Sequence, residues 1–201
     1  MFPELMRDDV FRLETARLWL RWPRASDAQR ISEFAGDRDV ALMTANIPNP
    51  YPSGAAAAFI LASRAKNFTG EHMLLAITPK HRPNELIGCI GLRPGGVREA
   101  TLGYWLGKPH WRQGLMGEAV TGFVDIAMRS TKVVAIKANI RPANGASRKL
   151  LEKAAFSSTG SGVEPAPARG GSLPVERFSL TREAWSGIAG ANFNDSLARA
   201  N

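Results

Sequence analysis

A single cysteine, Cys89, stands in the chain, so neither an intrachain disulfide nor a zinc site of several thiolates can form. No stretch approaches the roughly 18–20 consecutive apolar residues of a membrane-spanning helix. The opening residues, MFPELMRDDVFRLETARLWLRW, carry acidic groups and lack the basic-then-apolar pattern of an export signal. These two absences place the protein in the cytoplasm, with no membrane partner. No run of four or more basic residues occurs, although 26 Lys and Arg outnumber 18 Asp and Glu and give a net charge of +8. Basic residues scattered in this way serve solubility or an anionic ligand and argue against direct nucleic-acid recognition. The three histidines are dispersed, and no metal is expected.

What is present is the composition of one soluble globular domain, 44% apolar and 22% charged. Residues 12–22 alternate, Leu18 and Leu20 against Trp19 and Arg21, and read as one strand. Ser26 is the expected N-cap of a short helix whose buried stripe is Ile31 and Phe34. The prolines of IPNPYPSG make 47–54 a loop, after which Ser53 is the expected cap of an alanine-rich helix ending near Thr69–Gly70. Segments 72–79, 85–94 and 98–107 read as strands, and their short connections imply antiparallel pairing. A helix then runs to Arg129, followed by a strand at 132–140 and a helix at 142–156. Residues 157–173, rich in Ser, Gly and Pro, read as a mobile loop, and 174–181 as the closing strand. The predicted domain covers 1–185, with 186–201 as a frayed tail. The fold class is α+β, a mixed and mostly antiparallel sheet of about six to seven strands flanked by helices.

The stretch PHWRQGLMGEAVTGFV, residues 109–124, places Gly114 and Gly117 at the mouth of a helix. Glycine in a helix costs about 1 kcal/mol against alanine, so something must offset it. Free N–H groups at a helix N-terminus, with the positive end of the dipole, form an anion site, and a missing Cβ lets phosphate approach the backbone. Arg112 adds a cation. The alternative is a tight turn with close helix–sheet packing. The stretch fits neither the GxGxxG nor the GxxxxGK[ST] pattern, so both readings stay open.

Four segments, in order, resemble the GCN5-related N-acetyltransferase superfamily, in particular its ribosomal-protein-alanine acetyltransferase-like (RimJ/RimL-type) branch. They are TARLWLRWPRASDA (15–28), LGYWLGKPHWRQGLMGEAV (102–120), ANIRPANGASRKLLEKAAF (138–156) and ERFSLTREAW (176–185). The resemblance implies acetyl-coenzyme A as donor, its pyrophosphate resting on the backbone of Arg112, Gln113, Gly114, Leu115, Met116 and Gly117. It implies that the fourth and fifth strands splay apart, with the pantetheine arm along strand four near Trp105 and Leu106. The asparagine of the NxxS motif is Asn144, beside that arm. Its serine, Ser147, is the candidate that protonates the leaving thiolate.

The chain departs from the family at several positions. Trp111 opens the loop, and Met116 holds its last small position, where its side chain is expected to point outward. The tyrosine many members use as general acid falls at Leu151, and the glutamate often found before GYW falls at Thr101. Acetyl transfer needs a neutral amine, an N–H aimed at the carbonyl oxygen and a proton for the thiolate. A water held by Glu99 or Glu118 is a candidate base, with a helix-dipole role the alternative for Glu118. His110 reads as a surface residue and Cys89 as core. Tyr104 and Trp105 alternate, one toward the core and the other toward the cleft. The expected activity is direct N-acetylation of a primary amine, on a protein N-terminus or a small amine, by a monomer or homodimer. A non-catalytic coenzyme A-binding module and an RNA-associated protein are the competing classes.

Overall fold

The computed structural model describes residues 1–188. Its elements in chain order are β1 (Arg12–Glu14), β2 (Leu18–Arg21), α1 (Ala28–Gly36), α2 (Arg38–Leu42), α3 (Ala55–Phe68) and β3 (Met73–Pro79). There follow β4 (Gly88–Gly96), β5 (Glu99–Leu106), α4 (Leu115–Ser130), β6 (Ala135–Ile140), α5 (Gly145–Lys153), β7 (Ser157–Ala166) and β8 (Gly171–Thr181). One eight-stranded sheet carries them in the order β1-β2-β3-β4-β5-β6-β8-β7. Every neighbouring pair is antiparallel except β5–β6, which α4 joins as a parallel crossover. Among the described residues, no helix is long and apolar enough to cross a membrane.

Two cores sandwich the sheet. In α4 the buried residues recur as pairs four apart, Leu115–Met116, Ala119–Val120, Phe123–Val124 and Ala127–Met128. That spacing keeps one stripe turned to the sheet. It meets Leu75, Ile77, Ile90, Leu102, Ala138 and Phe178. On the opposite face Ile31 and Phe34 of α1 and Ile60 of α3 pack with Ala76, Cys89 and Trp105, as the α1 stripe predicts.

The structure corrects the sequence reading in four places. Residues 12–22 form two strands, because Thr15 turns the chain. Its N–H donates to the Leu18 carbonyl, and its Oγ1 accepts from the Leu18 N–H, closing a hairpin in which Arg12 faces Arg21. Ser26 caps nothing. It lies in a 3-10 turn, and α1 starts on Asp27, whose carboxylate is drawn inward to Arg21. Ser53 is likewise no cap, since Gly54, in a left-handed conformation, precedes α3 with no side-chain cap. Residues 157–173 are not a loop but β7, a short turn and the start of β8, with a ladder of nine residue pairs from Ser157↔Ser179 to Ala166↔Gly171. As an edge strand β7 tolerates Pro165 and a bulge at Gly160. Gly162 leaves room for the Arg177 guanidinium, which would stand 2.5 Å from a Cβ there. Of the predicted tail 186–201, residues 186–188 continue a helix begun at 182, and the remainder lies outside the described residues.

The N-terminal hairpin is locked by a buried ion pair. Arg21 and Asp27 are 3% and 1% exposed and meet through two 2.8 Å hydrogen bonds. Arg21 also donates to the Trp22 and Pro83 carbonyls, and Asp27 accepts from the Arg24 N–H. Removing one partner strands a buried charge. Asp27→Ala should therefore lower the free energy of unfolding by about 3–5 kcal/mol in urea titrations, and a loss below ~1 kcal/mol would refute the lock.

Candidate functional site

The parallel ladder between β5 and β6 ends at Leu102↔Ala138. Beyond it, Gly103 to Leu106 keep β4 as their only strand neighbour, while Asn139 and Ile140 keep β8. The two strands therefore diverge, as the resemblance implies for its fourth and fifth strands. They are β5 and β6 here because the N-terminal segment supplies two strands instead of one. Gly103 lies open inside this wedge, with nothing within 4 Å of where its Cβ would be.

The loop from β5 to α4 sits at the wedge mouth. The Trp111 indole N–H donates to the Leu106 carbonyl at 2.7 Å, and the Gln113 amide to the Pro109 carbonyl at 3.1 Å, which pins the loop to the strand end. Arg112 and Gly114 both take positive φ, 60° and 73°. Such turns aim successive backbone N–H groups into one concavity. For a non-glycine residue this costs roughly 1–2 kcal/mol, and Gly114 avoids that cost. α4 starts after Gly114 with no side-chain cap. Among the described residues, none of the six N–H groups from Arg112 to Gly117 donates to a protein acceptor. Gly117 has a different reason to be glycine. A Cβ there would meet nothing within 4 Å, so protein packing does not demand the small residue. Met116 is 8% exposed and joins the core, so its side chain points inward rather than outward and leaves the concavity clear. Leu115 is buried beside it.

One carboxylate ties this loop to the N-terminal hairpin. Glu118 accepts from Thr15 Oγ1 at 2.5 Å, from the Arg17 N–H at 2.6 Å and from Arg17 Nε at 2.6 Å. Burial pushes the Glu118 carboxyl up, but the hydrogen bonds from Thr15 and Arg17 together hold it below the usual carboxylate range. Its lone pairs are committed to the clamp, which leaves it unsuited to accept an amine's proton. Arg17 also donates to the Gln113 carbonyl at 3.0 Å, and its Nη2 stands 3.5 Å from the Cβ position of Gly114. A second guanidinium thus joins Arg112 beside the loop. Glu99, the other candidate base, lies at the far end of β5 from the wedge, paired with Lys137.

On the α5 side, Asn144 is the N-cap, its Oδ1 accepting from the Ser147 N–H at 3.0 Å. Ser147 is 6% exposed, and its Oγ lies 2.6 Å from the Tyr104 hydroxyl, bridging α5 to the diverging part of β5. Burial raises the Tyr104 pKa to about 12, only partly offset by the Ser147 hydrogen bond, so the phenol stays protonated. The sequence leaves open which of Tyr104 and Trp105 faces the cleft and gives Tyr104 no chemical role; the available signal is its place two residues past Leu102, where β6 leaves the edge of β5. Leu151, at the usual tyrosine position, is fully buried core. Trp105 faces the other way and packs near Phe34, while Leu106 is buried at the strand end. His110 stacks edge-on against Phe34 at 5.6 Å, and burial with Arg30 and Arg82 nearby lowers its pKa. Burial pushes the Cys89 thiol up, which keeps it unreactive.

The β7–β8 turn is held against residues 41–47. Arg169 donates to the Ala41 and Ile47 carbonyls and the Ala168 N–H to the Ala45 carbonyl, so the hairpin rests on the segment after α2.

An uncharacterized N-acetyltransferase p20 from Bacillus licheniformis is 29% identical over 177 residues, 87% of this chain and 98% of its own length. Among solved structures, RimL, a ribosomal L7/L12 alpha-N-protein acetyltransferase in complex with coenzyme A, superposes with a TM-score of 0.73. It is 15% identical, with 87% of this chain and 99% of that one covered. The ribosomal-protein-S5-alanine acetyltransferase from Vibrio fischeri gives a TM-score of 0.72 at 18% identity, covering 87% and 98%. At those identities the structures speak for the fold alone. A family model described as an acetyltransferase (GNAT) domain matches residues 17–157, from the Arg17 clamp through the loop and wedge to the first residue of β7, and on that match the chain belongs to the GNAT acetyltransferase family.

Proposed function

We propose that this protein transfers an acetyl group from acetyl-coenzyme A to a primary amine by direct attack, the acceptor being a protein or peptide N-terminal α-amine. The observation that carries this reading is the run of six N–H groups from Arg112 to Gly117 that have no partner among the described residues, beside a wedge with an open strand edge. The residues present fit the donor. A diphosphate accepts several N–H bonds at a helix N-terminus, and the empty space over Gly117 admits it. Bound there, acetyl-coenzyme A would supply a thioester carbonyl activated toward amines.

The chain's own residues do the rest. Arg112 to Gly117 bind and position, with Arg112 adding positive charge and Arg17, paired with Glu118, holding the loop through the Gln113 carbonyl. The free edge of β5 around Trp105 and Leu106 orients the donor's arm, with Asn144 at its side. Such alignment contributes several kcal/mol to the barrier reduction, on the order of 7 in good cases. Ser147 holds a hydroxyl proton at Oγ for the departing thiolate, Tyr104, protonated at neutral pH, replenishes it through their hydrogen bond, and the proton shed by the attacking amine restores the pair. The α-amine reading is supported by the shared fold of RimL, a ribosomal L7/L12 alpha-N-protein acetyltransferase, and the ribosomal-protein-S5-alanine acetyltransferase. The acceptor enters, on this reading, beneath the β7–β8 turn. Free thiol release with acetyl-coenzyme A should be faster for peptides with a free N-terminus than for the same peptides N-terminally blocked; release only with small amines would replace the acceptor, and no release with any amine would remove the activity.

Two substitutions separate binding from chemistry. Gly117→Glu places an anion in the first turn of α4, where it favours the helix, so thermal stability should hold or rise. The same charge opposes the pyrophosphate and should weaken coenzyme A by on the order of a hundredfold in calorimetry. Undiminished affinity would refute the loop assignment. Ser147→Ala should lower kcat about 100-fold with the donor's KM within about twofold, the size expected for a lost general acid. Tyr104→Phe should slow turnover in the wild type but add little to Ser147→Ala, because the two hydroxyls act as one unit. Additive losses in kcat would separate them.

A further inference from the structure

A cleft of about 690 Å³ opens at the outer edge of the sheet, where β1 and β2 meet α3. Four guanidinium groups line it, those of Arg12, Arg21, Arg24 and Arg64. A hollow of about 170 Å³ shares the first three. Arg12 and Arg21 are direct cross-strand partners, an arrangement of like charges that destabilises a ladder. Within the fold Arg21 is neutralised by Asp27 and Arg64 by Asp9. Among the described residues the Arg24 guanidinium donates only to the Asn84 side chain, and the Arg12 guanidinium has no side-chain partner. Four positive charges thus face two negative ones, a surplus of two. Burial and the neighbouring Arg21 and Arg12 lower the Arg24 pKa, which shows how crowded the charges are. Apart from Asp9, which is held by Arg64, the remaining wall is apolar. Trp22 is buried with its indole N–H lacking an acceptor, and Val10 and Leu61 are 71% and 73% exposed at the rim.

We propose that this cleft is a second anion site, binding a phosphate monoester with a small apolar body. The two uncompensated guanidinium groups, Arg12 and Arg24, match the charge of a phosphate dianion, and a planar guanidinium offers paired N–H donors to its oxygens. The volume lies within the range of small-molecule sites, roughly 300–1,000 Å³. The cleft is separate from the acetyl-transfer site. α3 and α4 lie on opposite faces of the sheet, and β2 stands three strands from β5, roughly 14 Å at ordinary strand spacing. It shares no lining residue with the loop or the wedge.

Calorimetry on the full chain saturated with coenzyme A tests this, with phenyl phosphate, inorganic phosphate and phenol as probes. Phenyl phosphate should bind at one site, inorganic phosphate more weakly, and phenol not at all. The double variant Arg12→Gln, Arg24→Gln should bind phenyl phosphate at least about tenfold more weakly while keeping its coenzyme A affinity. Without ligand it should melt at the same or a higher temperature, since a repulsion is removed. Gly117→Glu should retain phenyl phosphate binding, so a failure of the acetyl-transfer reading leaves this result readable. No binding to the wild type, or undiminished binding to the double variant, overturns the site. Displacement of phenyl phosphate by coenzyme A overturns its independence, and equal affinity for inorganic phosphate overturns the ester.

Discussion

Beyond Leu102 the backbone of β5 has a strand on one edge only, although it runs through the middle of an eight-stranded sheet. Unpaired backbone groups inside a protein carry a large desolvation cost unless something meets them. The surrounding structure is arranged around that edge. The Trp111 indole takes the Leu106 carbonyl, Ser147 reaches the Tyr104 hydroxyl, and the β7–β8 turn rests on the segment after α2. The first two props stand on the diverging part of β5, and Gly103 between them and the ladder stays open. A sheet that spends hydrogen-bonding capacity in this way has a ready partner for an extended, amide-bearing arm.

The two glycines that raise the first question of the sequence answer it differently. Gly114 is a backbone requirement, at φ 73°, and Gly117 leaves a space that no protein atom fills. The packing alternative fails at Gly117 because packing would put a neighbour there. Holding six N–H groups without acceptors is unfavourable for the free protein, and the clamp at Glu118 shows how the loop keeps its shape regardless. Three donors from the β1–β2 turn converge on one carboxylate, so the hairpin is part of the loop's support.

Much of this was legible. Helical spacing marks the buried stripe of α1, and short connections mark the antiparallel run from β3 to β5. The family likeness points to the divergence of β5 and β6 and to the loop, since these rest on local patterns of residues. What escaped depends on contacts far along the chain. The 157–166 segment has the composition of a loop, and only its pairing with the apolar β8 makes it a strand. Asp27 looks like part of a capping sequence, but a partner six residues back draws it into the core. Tyr104 gains its meaning from Ser147, 43 positions away, and Glu118 from Thr15, 103 positions away. A serine or a glutamate in a first helical turn has an adequate local explanation, and that explanation conceals the distant one.

The positive charge of the chain has the same lesson in another form. Along the sequence its basic residues are scattered, yet folding gathers some of them. Arg17 and Arg112, 95 positions apart, come to one loop, and Arg12, Arg21, Arg24 and Arg64 to one cleft. Many of the remainder are spent in exposed pairs such as Arg129–Asp125 and Arg82–Glu85, which contribute little to stability. A net charge of +8 is therefore no measure of a diffuse basic surface here. Arg17, Arg21 and Arg64 each have a carboxylate partner, so the cations that matter are Arg112, Arg12 and Arg24, which have none among the described residues. At the loop they stand beside unpartnered backbone amides, which adds directional hydrogen bonds to the field. At the sheet edge Arg12 and Arg24 are themselves exposed and stand beside apolar side chains. The first arrangement suits a diphosphate held along a backbone, and the second suits a compact dianion with an apolar body.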